Sequence, residues 1–493
     1  MAQITITNLF FTYEGDYTPV FEGLDLQWDT GWKLGLVGRN GRGKTTLLRL
    51  LAGELEGRGT IAGRPRCLRW PGTVERPERP ALDLLRERVP PEEEWRLLWE
   101  LSKLGLEEAT LERPFSTLSG GEQTRALLAA LFLDEGSYPM LDEPTNHLDG
   151  PGRALVARYL RELDRGFLLV SHDRAFLDGC TDHTLALNRT GPELIRGSFS
   201  VWYREKEARD RGELAQNERL KGEIRRLEQA ARRTAAWSDK VERSKYGSEN
   251  SGLKVDRGFV GHKSAKLMKR AKGLESRQQE AIAEKSALLK DVERADSLKL
   301  APLVYHSQRL LEGRELAITY GGTTTGKPVS FTLEQGERLF LDGGNGAGKT
   351  SILRLVLGEE IPHTGTLRRA SGLTISYVPQ GAGHLRGPLT QWIEGRGLDV
   401  TQCLTVLRKL GFSRELFARD MGEYSAGQKK KVLLAASLCQ RAHLYLWDEP
   451  LNYIDLFSRI QLEELILRYR PTMLLVEHDR AFRDRVGTGC VTL

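Results

Sequence analysis

No run in this sequence approaches the ~18 to 20 consecutive apolar residues that a membrane-spanning helix needs. Apolar stretches such as Phe167-Leu-Leu-Val170 have only the length of buried strands. Cysteine is scarce: Cys67, Cys180, Cys403, Cys439 and Cys490 are scattered over 493 residues, with no pair at metal-ligand spacing. Neither a disulfide framework nor a zinc module is expected, and a reducing compartment suits such a chain. The opening residues, Met1-Ala-Gln-Ile-Thr-Ile-Thr, lack the basic-then-apolar order of a secretion signal. A cytoplasmic protein without a membrane association is the expectation. Net charge is small, +6, but it is unevenly spread. From Arg204 to Lys299 there are 25 Lys+Arg against 17 Asp+Glu, so this segment alone carries +8 and the remainder is slightly acidic.

What the sequence does contain is a duplication. Gly38-Arg-Asn40-Gly41-Arg-Gly43-Lys44-Thr45 fits a phosphate-binding P-loop, and Gly343-Gly-Asn345-Gly346-Ala-Gly348-Lys349-Thr350 fits it again. The two lysines lie 305 positions apart; Ser119 and Ser425, Glu143 and Glu449, and His172 and His478 each lie 306 apart. A chain of 493 residues is too long for one core, and the repeat predicts two domains, 1–199 and 304–493, joined by a connector, 200–303. Both repeats read as α/β. Lys33-Leu-Gly-Leu-Val37 and Arg338-Leu-Phe-Leu341 are short apolar runs that lead into glycine loops and then into helix-like Leu47–Leu51 and Ile352–Leu355. A strand, a glycine loop and a helix are the context that a P-loop requires.

The chemistry of these motifs is that of a bound nucleoside triphosphate. Backbone N–H groups of the loop cradle phosphate oxygens at a helix N-terminus. Lys44 and Lys349 are placed to reach the β- and γ-phosphates, and Thr45 and Thr350 to hold magnesium. Asp142-Glu143 and Asp448-Glu449 each end an apolar run. The first carboxylate of each pair suits the magnesium shell and the second suits a base acting on the attacking water. His172 and His478 each follow a further apolar run, at a strand end close to the γ-phosphate. An isolated histidine or acidic pair is usually structural. Four motifs recurring in order are not isolated.

The connector differs in kind. Leu220, Ile224, Leu227 and Ala231 alternate in spacings of four and three, and Leu267, Ala271, Leu274, Ala281, Leu288 and Val292 follow a looser version. This predicts two long helices in an antiparallel coiled-coil hairpin, the first over 200–237. The turn-rich tip, about 238–262, carries basic residues with aromatics among them: Lys240, Arg243, Lys245, Tyr246, Lys254, Arg257, Phe259 and, just beyond, Lys263. Such a surface suits RNA, whereas a solvated coiled coil is the plain alternative.

These residues resemble the ATP-binding cassette superfamily. Leu118-Ser119-Gly120-Gly121-Glu122 looks like its signature motif, and Pro144-Thr-Asn-His-Leu-Asp149 like its D-loop. The resemblance implies nucleotide contacts by Gly38, Asn40, Gly41, Gly43, Lys44, Thr45, Thr46 and their counterparts Gly343, Asn345, Gly346, Gly348, Lys349, Thr350 and Ser351. It adds Tyr13 and Tyr320 as adenine-stacking aromatics, and Gln380 as a second magnesium-shell residue. In that superfamily two cassettes pair head to tail. Site one would combine Lys44, Glu143 and His172 with Ser425 and Gly427; site two would combine Lys349, Glu449 and His478 with Ser119 and Gly121. Two departures fall in site one. The second signature reads Tyr424-Ser-Ala426-Gly-Gln, and Arg66-Cys-Leu-Arg-Trp-Pro71 offers no glutamine where the second cassette has Gln380. Unequal sites follow as an expectation, with site two hydrolysing faster.

Two cassettes, a helical linker and no membrane span together resemble the ABC-F family, and the resemblance covers essentially the whole chain. The tip Gly258-Phe259-Val-Gly-His-Lys263 and the run Asp448-Glu-Pro-Leu-Asn-Tyr-Ile-Asp455 are similar to its antibiotic-resistance branch, Lsa type. This implies an ATPase with ATP and Mg2+, intramolecular cassette pairing in a monomer, and the 70S ribosome as partner. The linker would enter the E site beside the P-site tRNA and 23S rRNA, with Phe259 nearest the drug pocket. Protection against lincosamides, streptogramin A compounds and pleuromutilins is the implied role. A housekeeping factor resolving stalled ribosomes and a transporter-associated ATPase are the alternatives.

Overall fold

The computed structural model describes residues 2–15, 18–72, 74–146, 148–188, 191–244, 277, 298–320, 323–344 and 346–493. By compactness the chain divides into Met1–Trp202 with Ala295–Leu493, which holds both cassettes, and Tyr203–Arg294.

Each cassette is built on a parallel sheet. In the first, the strand order is Arg66–Trp70, Ser137–Asp142, Phe167–Val170, Lys33–Gly38, His183–Asn188 and Gly191–Arg196, with only the last strand antiparallel. In the second it is Ile375–Val378, Leu444–Asp448, Met473–Val476, Arg338–Asp342 and Gly489–Thr492, all parallel. Parallel strands covered on both faces read as continuous apolar runs. Phe167 to Val170 and Met473 to Val476 are accordingly buried at every position.

A three-stranded antiparallel sheet lies beside each parallel one. Gln3–Phe11 sits between Phe21–Asp29 and Arg58–Ala62, and Arg309–Tyr320 between Thr323–Glu334 and His363–Arg369. The first cassette's core joins both layers: Ile4, Ile6 and Trp28 pack with Leu34, Leu47, Leu48 and Met140. The second has one core of this kind, with Leu311, Ile318 and Leu339, and another under its helices, with Leu407, Val432 and Trp447.

The chain order puts the chemistry on one edge. Ser137–Asp142, Phe167–Val170 and Lys33–Gly38 are neighbouring parallel strands, so the loops at their carboxyl ends emerge together. Ligands bind at such edges in open α/β sheets. Helices follow on capped starts: Asp149, Asp173, Asp455 and Asp479 each accept the backbone N–H three residues on.

The expected first linker helix is present but longer. It runs Phe199–Ser244, 46 residues, seven beyond the expected end at 237. The reason is local: 238–244 contains neither glycine nor proline, and the next glycine after Gly222 is Gly247. The second linker helix and the tip residues Lys245, Tyr246, Lys254, Arg257, Phe259 and Lys263 fall outside the described residues. For Lys240 and Arg243 only the helical backbone is described.

Cassette two buries an ion pair at the start of its D-loop helix. Lys431 Nζ lies 2.8 Å from Asp455 Oδ2 and donates to the Leu410 carbonyl at 2.6 Å, with side chains 4% and 2% exposed. Asp455 also accepts from the backbone and hydroxyl of Ser458. Burial opposes the ionised carboxylate, but Lys431 overrides it and holds Asp455 well below the usual carboxylate range. Breaking a buried pair by removing one partner costs about 3–5 kcal/mol, because the other charge is stranded. Asp455→Asn is therefore expected to lower the urea midpoint markedly while the helix content before the transition stays at the wild-type level. Circular dichroism against urea measures both.

Candidate ATP-binding site

Each P-loop ends in a helix that starts without a side-chain cap. Gly43 (φ 83°) precedes Lys44–Ala52, and Gly348 (φ 93°) precedes Lys349–Leu357. Both glycines are left-handed, a conformation that L side chains rarely adopt, and a Cβ on Gly43 would also lie 2.6 Å from Val20 and Phe21. With no side-chain cap, the helix starts present their first N–H groups and positive dipole ends. Lys44 Nζ folds onto the Gly38 and Arg39 carbonyls at 2.8 and 3.2 Å, and Lys349 Nζ onto Gly343 and Gly344 at 2.7 and 2.8 Å. Burial lowers the pKa of both lysines, so each ammonium lacks solvation that an anion would restore.

Facing the loops are the paired carboxylates. Burial raises Asp142, with the Thr45 hydroxyl pulling the other way. Burial raises Asp448 to about 6, again opposed by a hydroxyl, that of Thr350. Asp448 is wholly buried, and neither carboxylate oxygen accepts a well-formed hydrogen bond among the described residues. A buried carboxylate with unmet acceptor capacity beside a threonine hydroxyl fits Mg2+, which keeps several waters and takes few protein ligands. No group of three or more His, Cys, Asp or Glu forms a metal cage among the described residues.

The next residue in each pair is conformationally unusual. Glu143 (φ 55°) and Glu449 (φ 46°) are both left-handed, a strain of order ~1–3 kcal/mol that accumulates at functional sites. Their backbone N–H groups bond across the sheet to the Val170 and Val476 carbonyls, which fixes the turn. Burial raises Glu143 to about 8, against the pull of Lys44 and Arg459. His172 Nε2 lies 3.3 Å from Glu143 Oε1, and His478 Nε2 lies 3.8 Å from Glu449 Oε1. Burial, followed by the neighbouring P-loop lysine, lowers both imidazoles, and His172 falls well below its ordinary value. Neutral imidazoles beside carboxylates can orient a water without adding charge.

The signature serines cap helices. Ser119 accepts from Glu122 N at 3.3 Å while Glu122 Oε2 accepts from Ser119 N at 2.7 Å; Ser425 and Gln428 repeat this at 3.2 and 2.8 Å. These capping boxes fix the starts of Gly120–Leu133 and Ala426–Cys439. The cassettes meet at the same elements. Asn40 Nδ2 in the first P-loop lies 3.5 Å from the Tyr453 carbonyl in the second D-loop. That carbonyl also packs on the signature glycine Gly427. Arg174 of cassette one pairs with buried Glu463 of cassette two. Asp455 acts on Lys44, and Asp149 acts on Lys349. Each P-loop therefore lies near the other cassette's D-loop.

A sequence profile of the ABC transporter family matches residues 21–146 and 326–452, the two P-loop-to-D-loop blocks. The chain belongs to the ABC transporter family. It is 28% identical over 491 residues to the ribosome protection protein VmlR of Bacillus subtilis, covering 98% of this chain and 85% of that one. It is 26% identical over 526 residues to the energy-dependent translational throttle protein EttA of Haemophilus influenzae, covering 95% and 88%. The two matched blocks support an ATPase. In fold it matches the archaeal ribosome recycling factor aABCE1, solved with stalk protein aP1. That match has a TM-score of 0.63 and 21% identity, covering 98% of this chain and 87% of that one.

The ABC motifs predicted from sequence converge on two edges, but several residues need comment. Tyr13 stacks edge-on against Phe11 and its hydroxyl lies 3.0 Å from Thr46 Oγ1, which sets it beside the first P-loop helix. Tyr320 ends a strand and only its backbone is described; Asn345 lies outside the described residues. Gln380 is exposed, and its carbonyl accepts from buried Lys430. Sequence reading missed Lys430, the matched pairs Arg153–Asp173 and Arg459–Asp479 at 3.1 and 2.9 Å, and Glu477, which stands where cassette one has Ser171. Comparing every position with its partner 306 residues on would have flagged both substitutions.

An added Cβ at Gly427 would lie 2.7 Å from the Tyr453 carbonyl, closer than real Cβ contacts come. Gly427→Ala must push the second D-loop away from Asn40. A displacement of about an ångström near reacting groups can cost up to ~100-fold in rate. Steady-state ATP turnover of this variant is expected to fall at least roughly tenfold, with the thermal unfolding midpoint close to wild type.

Proposed function

We propose that this chain is a ribosome-binding ABC-F ATPase of the antibiotic-resistance branch, Lsa type. On this reading it protects the peptidyl transferase centre from lincosamides, streptogramin A compounds and pleuromutilins. The observation that carries the ATPase part is the doubled edge on which P-loop, paired carboxylates and histidine meet, each facing the other cassette's D-loop. The ribosomal part is supported by similarity to a ribosome protection protein over 98% of this chain and by the basic linker sequence.

In this reading the substrate is ATP, held by first-turn N–H groups of the Lys44–Ala52 and Lys349–Leu357 helices, whose starts have no side-chain cap. Lys44 and Lys349 exchange their loop carbonyls for phosphate oxygens. Thr45 with Asp142, and Thr350 with Asp448 and Gln380, would hold magnesium, which would neutralise charge on the phosphates. Glu143 and Glu449 accept the proton of the attacking water, and neutral His172 and His478 orient it. Ser425 with Gly427, and Ser119 with Gly120 and Gly121, bring capped helix starts to the γ-phosphate when the cassettes close. ATP then stabilises the closed pair, and hydrolysis releases it.

Closure admits the linker to the E site of the 70S ribosome, beside P-site tRNA and 23S rRNA. There its tip (Lys240, Arg243, Lys245, Tyr246, Lys254, Arg257, Phe259 and Lys263) meets RNA, and the drug leaves. The working protein is a cytoplasmic monomer with domains 1–199, 200–303 and 304–493. Similarity to a translational throttle protein favours a second reading, a housekeeping factor that acts on stalled ribosomes without drug.

Replacing both Glu143 and Glu449 by glutamine is expected to trap the protein on ribosomes in ATP, read as co-sedimentation that survives dilution. Dissociation at the wild-type rate would refute the cycle. Binding should weaken steeply with salt, as phosphate contacts require. Of the single variants, Glu143→Gln should retain more turnover than Glu449→Gln, because site two is the faster site. Equal residual rates would contradict that inequality.

A further inference from the structure

The signature helix of cassette two carries a lysine where burial is nearly complete. Lys430 is 1% exposed, and its ammonium donates to the carbonyls of Pro379, Gln380 and Asp448 at 2.8, 3.2 and 3.0 Å. All three N–H donors of an ammonium are thereby used. Burying a charge for packing alone would be unfavourable, and a methionine or leucine fills such a space without that penalty. The partners are also particular. Gln380 and Asp448 are the residues assigned to magnesium at site two, and Lys430 holds the backbone of both. Cassette one has Thr124 at the matching position, and Trp70-Pro71 where a glutamine loop would be. The anchor and the glutamine are present together in one cassette and absent together in the other.

We propose that Lys430 is a positioning residue for site two: it fixes Gln380 and Asp448 in the arrangement that takes magnesium with ATP, without touching the nucleotide. This rests on the two-site reading above and gives site two's faster turnover a structural basis.

The test places Lys430→Met and Lys430→Gln in two backgrounds. Glu143→Gln leaves site two active and Glu449→Gln leaves site one active. Turnover is followed against ATP and against magnesium. ATP binding with and without magnesium is measured in the Glu143→Gln/Glu449→Gln background, where Lys430→Met should reduce the magnesium-dependent gain in affinity. At site two, Lys430→Met is expected to lower kcat roughly 10- to 100-fold and to raise the magnesium needed for half-maximal turnover by a similar factor. KM for ATP at saturating magnesium should change less than about threefold, and site-one turnover less than about twofold. Lys430→Gln, which keeps two donors, should fall between methionine and wild type.

Equal losses at both sites, or an unchanged magnesium requirement in folded Lys430→Met, would overturn the proposal. If the methionine variant does not fold, Lys430→Thr, cassette one's own residue, carries the same comparison. Turnover persisting when Glu143 and Glu449 are both glutamine would contradict the two-site reading itself, and this proposal with it.

Discussion

Two helices in this protein begin on left-handed glycines, with no side chain to satisfy their first N–H groups. Most helix starts among the described residues that matter here are closed by Asp or Ser: Asp149, Asp173, Asp455, Asp479, Ser119 and Ser425 all cap. The P-loop helices are left open, with a desolvated lysine folded over each. An anion is what such a start accepts, and the other parts of each site are arranged around where that anion sits. Parallel strands bring the carboxylates to the same edge, left-handed glutamates turn toward it, and the opposite cassette's D-loop approaches it from outside.

The charges around that edge show how a buried polar site is kept stable. Arg153 and Arg459 each pair with an aspartate that is also a helix cap, and each holds D-loop carbonyls as well. One residue thus joins the D-loop, the histidine loop and the helix start. A buried pair of this kind adds little net stability over an apolar replacement, but losing one partner is severe. Its benefit lies in fixing geometry. The interface is not symmetric: Arg174 pairs with Glu463, whereas the matching positions, Arg480 and Ala157, line a cavity of about 540 Å3.

Much of this was legible in the sequence, because phosphate chemistry uses residue types that have few substitutes. Glycines at fixed spacing, a lysine, a hydroxyl and two adjacent carboxylates name the site, and their repetition removes coincidence. The parallel sheets were legible too, from apolar runs such as Phe167–Val170. The flanking antiparallel sheets went unread, although Gln3-Ile-Thr-Ile-Thr alternates as a half-buried strand does. Lys430 and Glu477 could be flagged as differences between the two repeats, but their burial could not be read. A lysine or glutamate in sequence reads as solvated, and only tertiary contacts reveal that its charge is buried against main-chain groups. The first linker helix was found but stopped early, since 238–244 was grouped with the glycines that follow.

The central claim, protection of ribosomes from drugs, is tested most directly in cell-free translation. Reactions stalled separately by a lincosamide, a streptogramin A and a pleuromutilin receive purified protein and ATP. The account predicts that wild type restores synthesis and that a variant lacking residues 238–262 does not. Failure to restore synthesis with any of the three drugs, by protein that binds ribosomes and hydrolyses ATP, would contradict it.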